Sequence, residues 1–165
     1  MKLKKLALGL LTAISALALA ACGSSAGKTD SLAAIKEKGK LVVAVSPDYA
    51  PFEFRALVDG KDTIVGSDID LAQAIADELG VELELSTMNF DNVLASVQNG
   101  KADIAISGLS YTEDRAKAYD FSESYYTTEN AILVAADKAD SYKSLDDFSG
   151  KNVGVLKGSI EETLS

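Results

Sequence analysis

The sequence contains no histidine, a single cysteine and only two prolines among 165 residues. Without histidine, acid–base catalysis would fall to carboxylates, and the spacing of the acids here follows solvated helix faces instead. There is no Cys or His cluster, no Gly-x-x-x-x-Gly-Lys loop and no Gly-x-Ser-x-Gly elbow. Metal coordination, P-loop phosphate binding and an α/β-hydrolase nucleophile are therefore not expected, and no cofactor is implied. One thiol cannot close an internal disulfide, so oxidative staples do not hold this fold. Positive charge is scarce as well, 16 basic residues standing against 25 acidic ones. Nucleic acid needs Lys/Arg-rich faces for its phosphates and is excluded as a partner on that ground.

Long apolar runs are also lacking, with one exception. Lys2, Lys4 and Lys5 precede the uncharged stretch Leu6 to Ala21, which ends in small residues. A basic start, an apolar core and a small-residue end make an export signal over residues 1–21. Its core is shorter than the roughly 20 residues that a spanning helix needs, and the flexible Gly23-Ser24-Ser25-Ala26-Gly27 follows within a tether over residues 22–30. Leu19-Ala20-Ala21-Cys22 resembles the lipobox of bacterial lipoproteins, which implies lipidation of Cys22 and an anchor on the extracytoplasmic face of the cell membrane. Removal of residues 1–21 would leave 13 basic against 25 acidic residues, a net charge of −12. Such a body stands off anionic headgroups.

Along the rest of the chain, short apolar runs alternate with helical stripes. Ser31 to Lys38 reads as a short helix closed by Gly39, and Leu41 to Val45 as a strand buried on both faces. Ile69, Ala72, Ile75, Ala76 and Leu79 recur at helical spacing, with Ser67 or Asp68 placed to cap the start and Gly80 to end the helix. Strands over Val81 to Leu85 and Ala102 to Ile106 flank a helix over Phe90 to Gln98. This order predicts an α/β fold with a parallel sheet, whose ligands bind beyond the carboxyl ends of the strands. A second unit is expected after Tyr126, with an apolar segment at Ala131 to Ala135, a capped turn at Ser144 to Phe148 and a strand beginning at Val153-Gly154-Val155. The chain then stops at Ser165 in the first turn of a helix, so truncation is expected.

Two segments at strand ends carry chemistry. Ser107-Gly108-Leu109-Ser110-Tyr111-Thr112-Glu113-Asp114-Arg115 offers hydroxyls, a Gly backbone and an Arg in a first helical turn, where acids are preferred. Either its guanidinium faces a carboxylate from outside the chain, or it pairs on the surface with Glu113, Asp114 or Asp120. Asp48 to Phe54 places three aromatics around Pro51; Phe52 and Phe54 read as local core and Tyr49 as an exposed wall. Asp68 with Asp70 reads as helix N-terminal charge, not as a catalytic or metal pair.

Asp48 to Phe54, Gly66 to Ala72, Asn89-Phe90-Asp91, Ala102 to Ser107, Thr112 to Arg115, Asp120-Phe121-Ser122 with Tyr125-Tyr126, and Val153 to Ser159 occur in one order. Together they resemble the polar amino-acid family of bacterial extracellular solute-binding proteins. The resemblance implies a type II periplasmic-binding-protein clamshell of two α/β lobes, lobe 1 over residues 31–126 and an incomplete lobe 2 over residues 127–165. It implies that Arg115 takes a ligand α-carboxylate, that Ser110 bonds the ligand backbone, and that Ser107 and Gly108 offer groups nearby. Tyr49 and Phe90 match rings sandwiching the side chain, Ser159 matches a helix start that meets the carboxylate, and Tyr126 to Thr128 match a hinge crossing. Ile160 departs from a Thr common there, and Ser67 from an aromatic. The acid that relatives use for the ligand ammonium would lie beyond Ser165.

The implied role is that of a monomeric, lipid-anchored receptor delivering a polar amino acid to an ABC permease and its ATPase, without catalysis. Asp48 and Glu53 near the aromatic wall favour a basic ligand such as arginine or lysine. A cyclohexadienyl-dehydratase-like enzyme and a sensory ectodomain are the alternatives on the same fold.

Overall fold

A computed structural model describes residues 31–164; the signal over 1–21, the tether and Cys22 lie outside the described residues. Helix α1 (Ser31–Lys38) closes at Gly39, whose φ of 71° lets its N–H reach the Ile35 carbonyl at 3.1 Å. Strand β1 (Lys40–Val45) follows and is buried from Leu41 onward.

The unbroken apolar run of β1 has a direct cause. It is the central strand of the parallel sheet β5-β1-β6, formed with β5 (Glu82–Thr87) and β6 (Ile104–Ala105). Leu41, Val43 and Val45 face Ile35, Ala72, Ala76 and Ile106, while Val42 and Ala44 face Val93 and Ala102. Helix α2 (Ser67–Leu79) supplies the first layer and α3 (Phe90–Gln98) the second. A strand covered on both faces needs no polar alternation. Strand β6 is shorter than the expected Ala102 to Ile106 because the Asp103 carboxylate, not a carbonyl, accepts the Val42 N–H at 2.7 Å.

Helix α2 starts differently from the expectation. Neither Ser67 nor Asp68 caps it; Gly66 is the N-cap residue, and the Ser67 and Asp68 N–H groups donate to the carbonyls of Pro51 and Phe52 at 3.1 and 2.9 Å. Its end is as expected, with Gly80 left-handed and the Val81 N–H returning to the Ala76 carbonyl at 3.0 Å.

A second sheet, β2-β3-β4, was not foreseen. Strands β3 (Glu53–Val58) and β4 (Lys61–Val65) form an antiparallel hairpin around Asp59-Gly60, and β2 (Asp48–Tyr49) pairs with β3. Positive φ at both turn residues is what an Asp-Gly hairpin turn requires.

Beyond β6, a single helical turn α4 (Glu113–Ala116) is capped by Thr112, whose Oγ1 accepts the Arg115 N–H at 3.1 Å. The capped turn at Ser144 is present as a 3₁₀ segment, Leu145–Phe148, with Ser144 and Asp147 forming a capping box. Ala131 to Ala135 and Val153 to Val155 are irregular, which corrects the expected strand at Val153. Val153 and Val155 are exposed and pair with no strand among the described residues. Helix α5 (Ile160–Leu164) closes the described chain. No described helix is long and apolar enough to cross a membrane.

Candidate functional site

The carboxyl ends of β1 and β6 lie side by side, and the two segments singled out in the sequence leave from them. Ser107, one residue past the apolar end of this strand, is almost fully buried. Its Oγ accepts the Ser46 N–H at 3.0 Å and donates to Glu53 Oε1 at 2.6 Å. The expected ligand contact of this hydroxyl is therefore revised, since both of its bonds serve the interior.

Gly108 is left-handed (φ 54°), and a Cβ there would lie 2.8 Å from Tyr49 Cε1. Glycine is thus required for the Tyr49 ring to rest against this loop. The Gly108 N–H donates to Asp68 Oδ2 at 2.9 Å and is not free either. Tyr49 is 47% exposed and stacks on Phe52 at 5.1 Å, and Phe52 meets Tyr126 edge-on at 4.9 Å. The expected wall residue is exposed, and the expected packing residue lies behind it.

Ser110 is exposed, and its carbonyl accepts from Arg115 Nη1 at 2.8 Å. Arg115 Nη2 donates to the Gly158 carbonyl at 3.1 Å. None of the proposed surface partners holds this side chain: Asp114 pairs with Lys117 at 2.5 Å, and among the described residues Arg115 makes no ion pair. Burial pulls its pKa below the ordinary guanidinium value, with Glu161 opposing. A half-buried cation fixed by two carbonyls, with Glu161 nearby but in no ion pair with it among the described residues, can take an incoming anion.

Gly158 (φ 80°) approaches α3 so closely that a Cβ would stand 2.8 Å from Asp91 Cα. Phe90 opens α3 and, with Asp48, Asn89, Asp91, Leu156 and Lys157, lines a cleft of about 220 Å³. Lys157 and Asp91 are paired at 3.0 Å across it. Asp48 also borders a shallower hollow of about 300 Å³ with Arg55, Met88 and Asn89. Tyr49 lines neither hollow and, among the described residues, makes no ring contact with Phe90. The Ser159 N–H donates to the Leu156 carbonyl at 3.1 Å and its Oγ accepts the Glu162 N–H at 3.4 Å, so both groups are engaged locally.

Sequence reasoning placed Glu53 among groups facing a ligand cation; the structure corrects this. Glu53 is 0% exposed, and loss of water pushes its carboxyl up to about 8, the Ser107 hydrogen bond opposing and Asp68 adding to the rise. Asp68, expected as helix-terminal charge, is also 0% exposed and accepts from Gly108 N–H and from Tyr125 O–H at 3.0 Å. Burial, then Asp68, pushes the Tyr125 phenol well above its usual range. One signal was available: Asp68, Ala72 and Ala76 fall on a single buried stripe at spacing i, i+4, i+8. Among the described residues no cluster of three or more His, Cys, Asp or Glu is arranged for a metal ion.

Residues 41–161 match the family described as bacterial extracellular solute-binding proteins, family 3. The arginine-binding extracellular protein ArtP of Bacillus subtilis is 39% identical over 160 residues, covering 97% of this chain and 58% of that protein. The crystal structure of the amino acid ABC transporter substrate-binding protein AbpA from Streptococcus pneumoniae, bound to L-arginine, is similar with a TM-score of 0.77 at 62% identity. That match covers 80% of this chain and 56% of the other. The ancestral amino acid-binding protein AncCDT-1, a precursor of cyclohexadienyl dehydratase, is similar with a TM-score of 0.66 at 40% identity, over 72% of this chain and 51% of that one. The chain thus spans somewhat over half the length of such relatives.

Proposed function

The chain belongs to family 3 of the bacterial extracellular solute-binding proteins, and from that membership we propose that it forms the first lobe, and the start of the second, of an ABC-importer receptor for a basic amino acid. Arg115 carries the reading. Its guanidinium is held in place by the Ser110 and Gly158 carbonyls and makes no ion pair among the described residues, Glu161 acting on it only from nearby, which leaves its fork open to a ligand α-carboxylate.

Tyr49 offers its exposed face to the ligand side chain, while Phe90 and the negatively charged Asp48 line the neighbouring cleft. An aromatic face with an acid alongside suits a guanidinium or ammonium group. The exposed Ser110 hydroxyl is within the same loop as Arg115 and meets the ligand backbone. Lobe 1 comprises residues 31–126 and holds both sheets; residues 127–165 begin lobe 2, and closure of one on the other excludes water from the Arg115 pair and strengthens it. The chain acts outside the cytoplasm, held by a lipid on Cys22 after loss of residues 1–21, as a monomer that hands its ligand to a permease and ATPase.

A thermal-shift screen of the twenty amino acids tests the ligand class, because a bound ligand stabilises by RT ln(1 + [L]/Kd). Arginine or lysine is expected to give the largest shift. No shift with either removes the basic-ligand reading, and recovery of unmodified ligand from the complex separates capture from turnover.

A further inference from the structure

Two carboxyl groups, Glu53 and Asp68, lie together beneath Gly108 without an ion-pair partner among the described residues. Both are fully buried. Glu53 Oε1 accepts from Ser107 Oγ at 2.6 Å, and Asp68 Oδ2 accepts from the Gly108 N–H at 2.9 Å and the Tyr125 O–H at 3.0 Å. Their remaining oxygens, Glu53 Oε2 and Asp68 Oδ1, are buried and have no donor among the described residues. Asp68 is within hydrogen-bonding reach of Glu53. Two adjacent buried anions without a cation are far less favourable than one anion accepting a proton from its neighbour.

We propose that Glu53 carries a proton, donated from Oε2 to Asp68 Oδ1, and that this makes Asp68 the positioning residue of the ligand loop. Asp68 then holds the Gly108 N–H, five residues along from which sits the Thr112-capped turn bearing Arg115, and the Tyr125 O–H, just before the expected crossing to lobe 2. The inference rests on residues 108–115 being the ligand loop. Every group facing the pair is neutral or acidic. Ser46 and Ser107 lie at the ends of β1 and β6, Asp48 on β2 adds negative charge, and Tyr125 contributes its phenol. Nothing there compensates a second negative charge, so removing the proton loosens Asp68 from the loop. Burial keeps the proton on Glu53 through neutral pH, to about 8.

The test is calorimetry of L-arginine binding to the full chain between pH 6 and 9.5, for the parent, Glu53→Gln, Asp68→Asn and Asp68→Ala. The Gln amide donates to Asp68 without titrating, and the ligand's own ammonium titrates equally in all four. Parent affinity is expected to fall about fivefold or more above pH 8 relative to Glu53→Gln. Asp68→Asn, which can accept from Gly108 and Tyr125 while donating to an ionised Glu53, keeps its affinity across the range; Asp68→Ala loses about tenfold at every pH. If Asp68→Ala does not fold, Tyr125→Phe, at a half-exposed ring, gives the smaller loss instead. An infrared band of a protonated carboxyl, lost in Glu53→Gln, reports the proton without any ligand. Superimposable pH curves for parent and Glu53→Gln, or absence of that band, overturn the proposal. If the band is present but the parent takes up no L-arginine at any pH, it is the receptor reading that fails, and the positioning role goes with it.

Discussion

Arg115 Nη2 donates to the carbonyl of Gly158, 43 residues further along the chain, at 3.1 Å. The bond joins the loop after β6 to the turn before α5, and that turn sits against the start of α3 because Gly158 lacks a Cβ. The loop after β6, the start of α3 and the turn before α5 are thereby collected around one guanidinium.

Arg115→Ala is expected to weaken L-arginine binding by roughly 10- to 150-fold, corresponding to a charged hydrogen-bonded contact of about 1.5–3 kcal/mol. Arg115→Lys restores little, because an ammonium cannot present the planar fork. Calorimetry giving the parent affinity for either variant removes Arg115 from the carboxylate role.

Most of the parallel core was legible in the sequence because it is written in periodicity. The run Leu41 to Val45, the α2 stripe and the Phe90–Gln98 helix each report burial directly. The antiparallel sheet was less so: Asp59-Gly60 is a hairpin signal, yet β3 and β4 are largely exposed and carry little apolar alternation. In the site, Tyr49 is exposed as expected, and of the two alternatives left open for Arg115, a surface pair with Glu113, Asp114 or Asp120 is not seen among the described residues. Ser107 and Glu53 depart from expectation, because only tertiary packing turns an exposed-looking Ser and Glu toward each other. The strand expected at Val153 is absent because an apolar run becomes a strand only when it pairs, and Val153 and Val155 pair with no described strand.

Tyr49→Ala is expected to lower affinity for L-arginine by roughly 2- to 30-fold, the range of a cation over an aromatic face. Tyr49→Phe retains most of the binding. A half-exposed ring contributes little to folding, so the melting temperature of Tyr49→Ala should stay within a few degrees of the parent. Equal affinities for the Ala variant and the parent place the wall elsewhere.

Stability should fall as pH rises. Folded Glu53 holds its proton to about 8, whereas the unfolded side chain releases it near its ordinary 4.5. Between those values the folded state binds the extra proton, so this group's contribution is complete below about 4.5 and is lost by about 8. The slope is at most about 1.4 kcal/mol per pH unit. Chemical denaturation at pH 5, 6.5, 8 and 9.5 checks this: the difference between parent and Glu53→Gln should change over the first three and level off after the third.

Gly66→Ala should be the most damaging single methyl at the junction of β4 and α2. Its φ is 131°, and a Cβ would stand 2.1 Å from the Phe52 carbonyl oxygen. That carbonyl accepts the Asp68 N–H, so the clash prises α2 from the Pro51-Phe52 loop. A loss of about 3 kcal/mol or more is expected, lowering the melting temperature by roughly 6–12 °C. Gly60→Ala, with open space around its Cβ position, serves as a control for left-handed backbone strain alone and should lose less.

Tyr49 belongs to the antiparallel sheet and Arg115 to the loop that leaves the parallel one. Tyr49 rests against Gly108 in that same loop, whereas Arg115 is held by the carbonyls of Ser110 and Gly158. On the proposed reading, a lineage can exchange Tyr49 to suit a new side chain while inheriting Arg115 unchanged, so that the appetite of such a receptor diverges without its grip on the amino-acid backbone being reinvented.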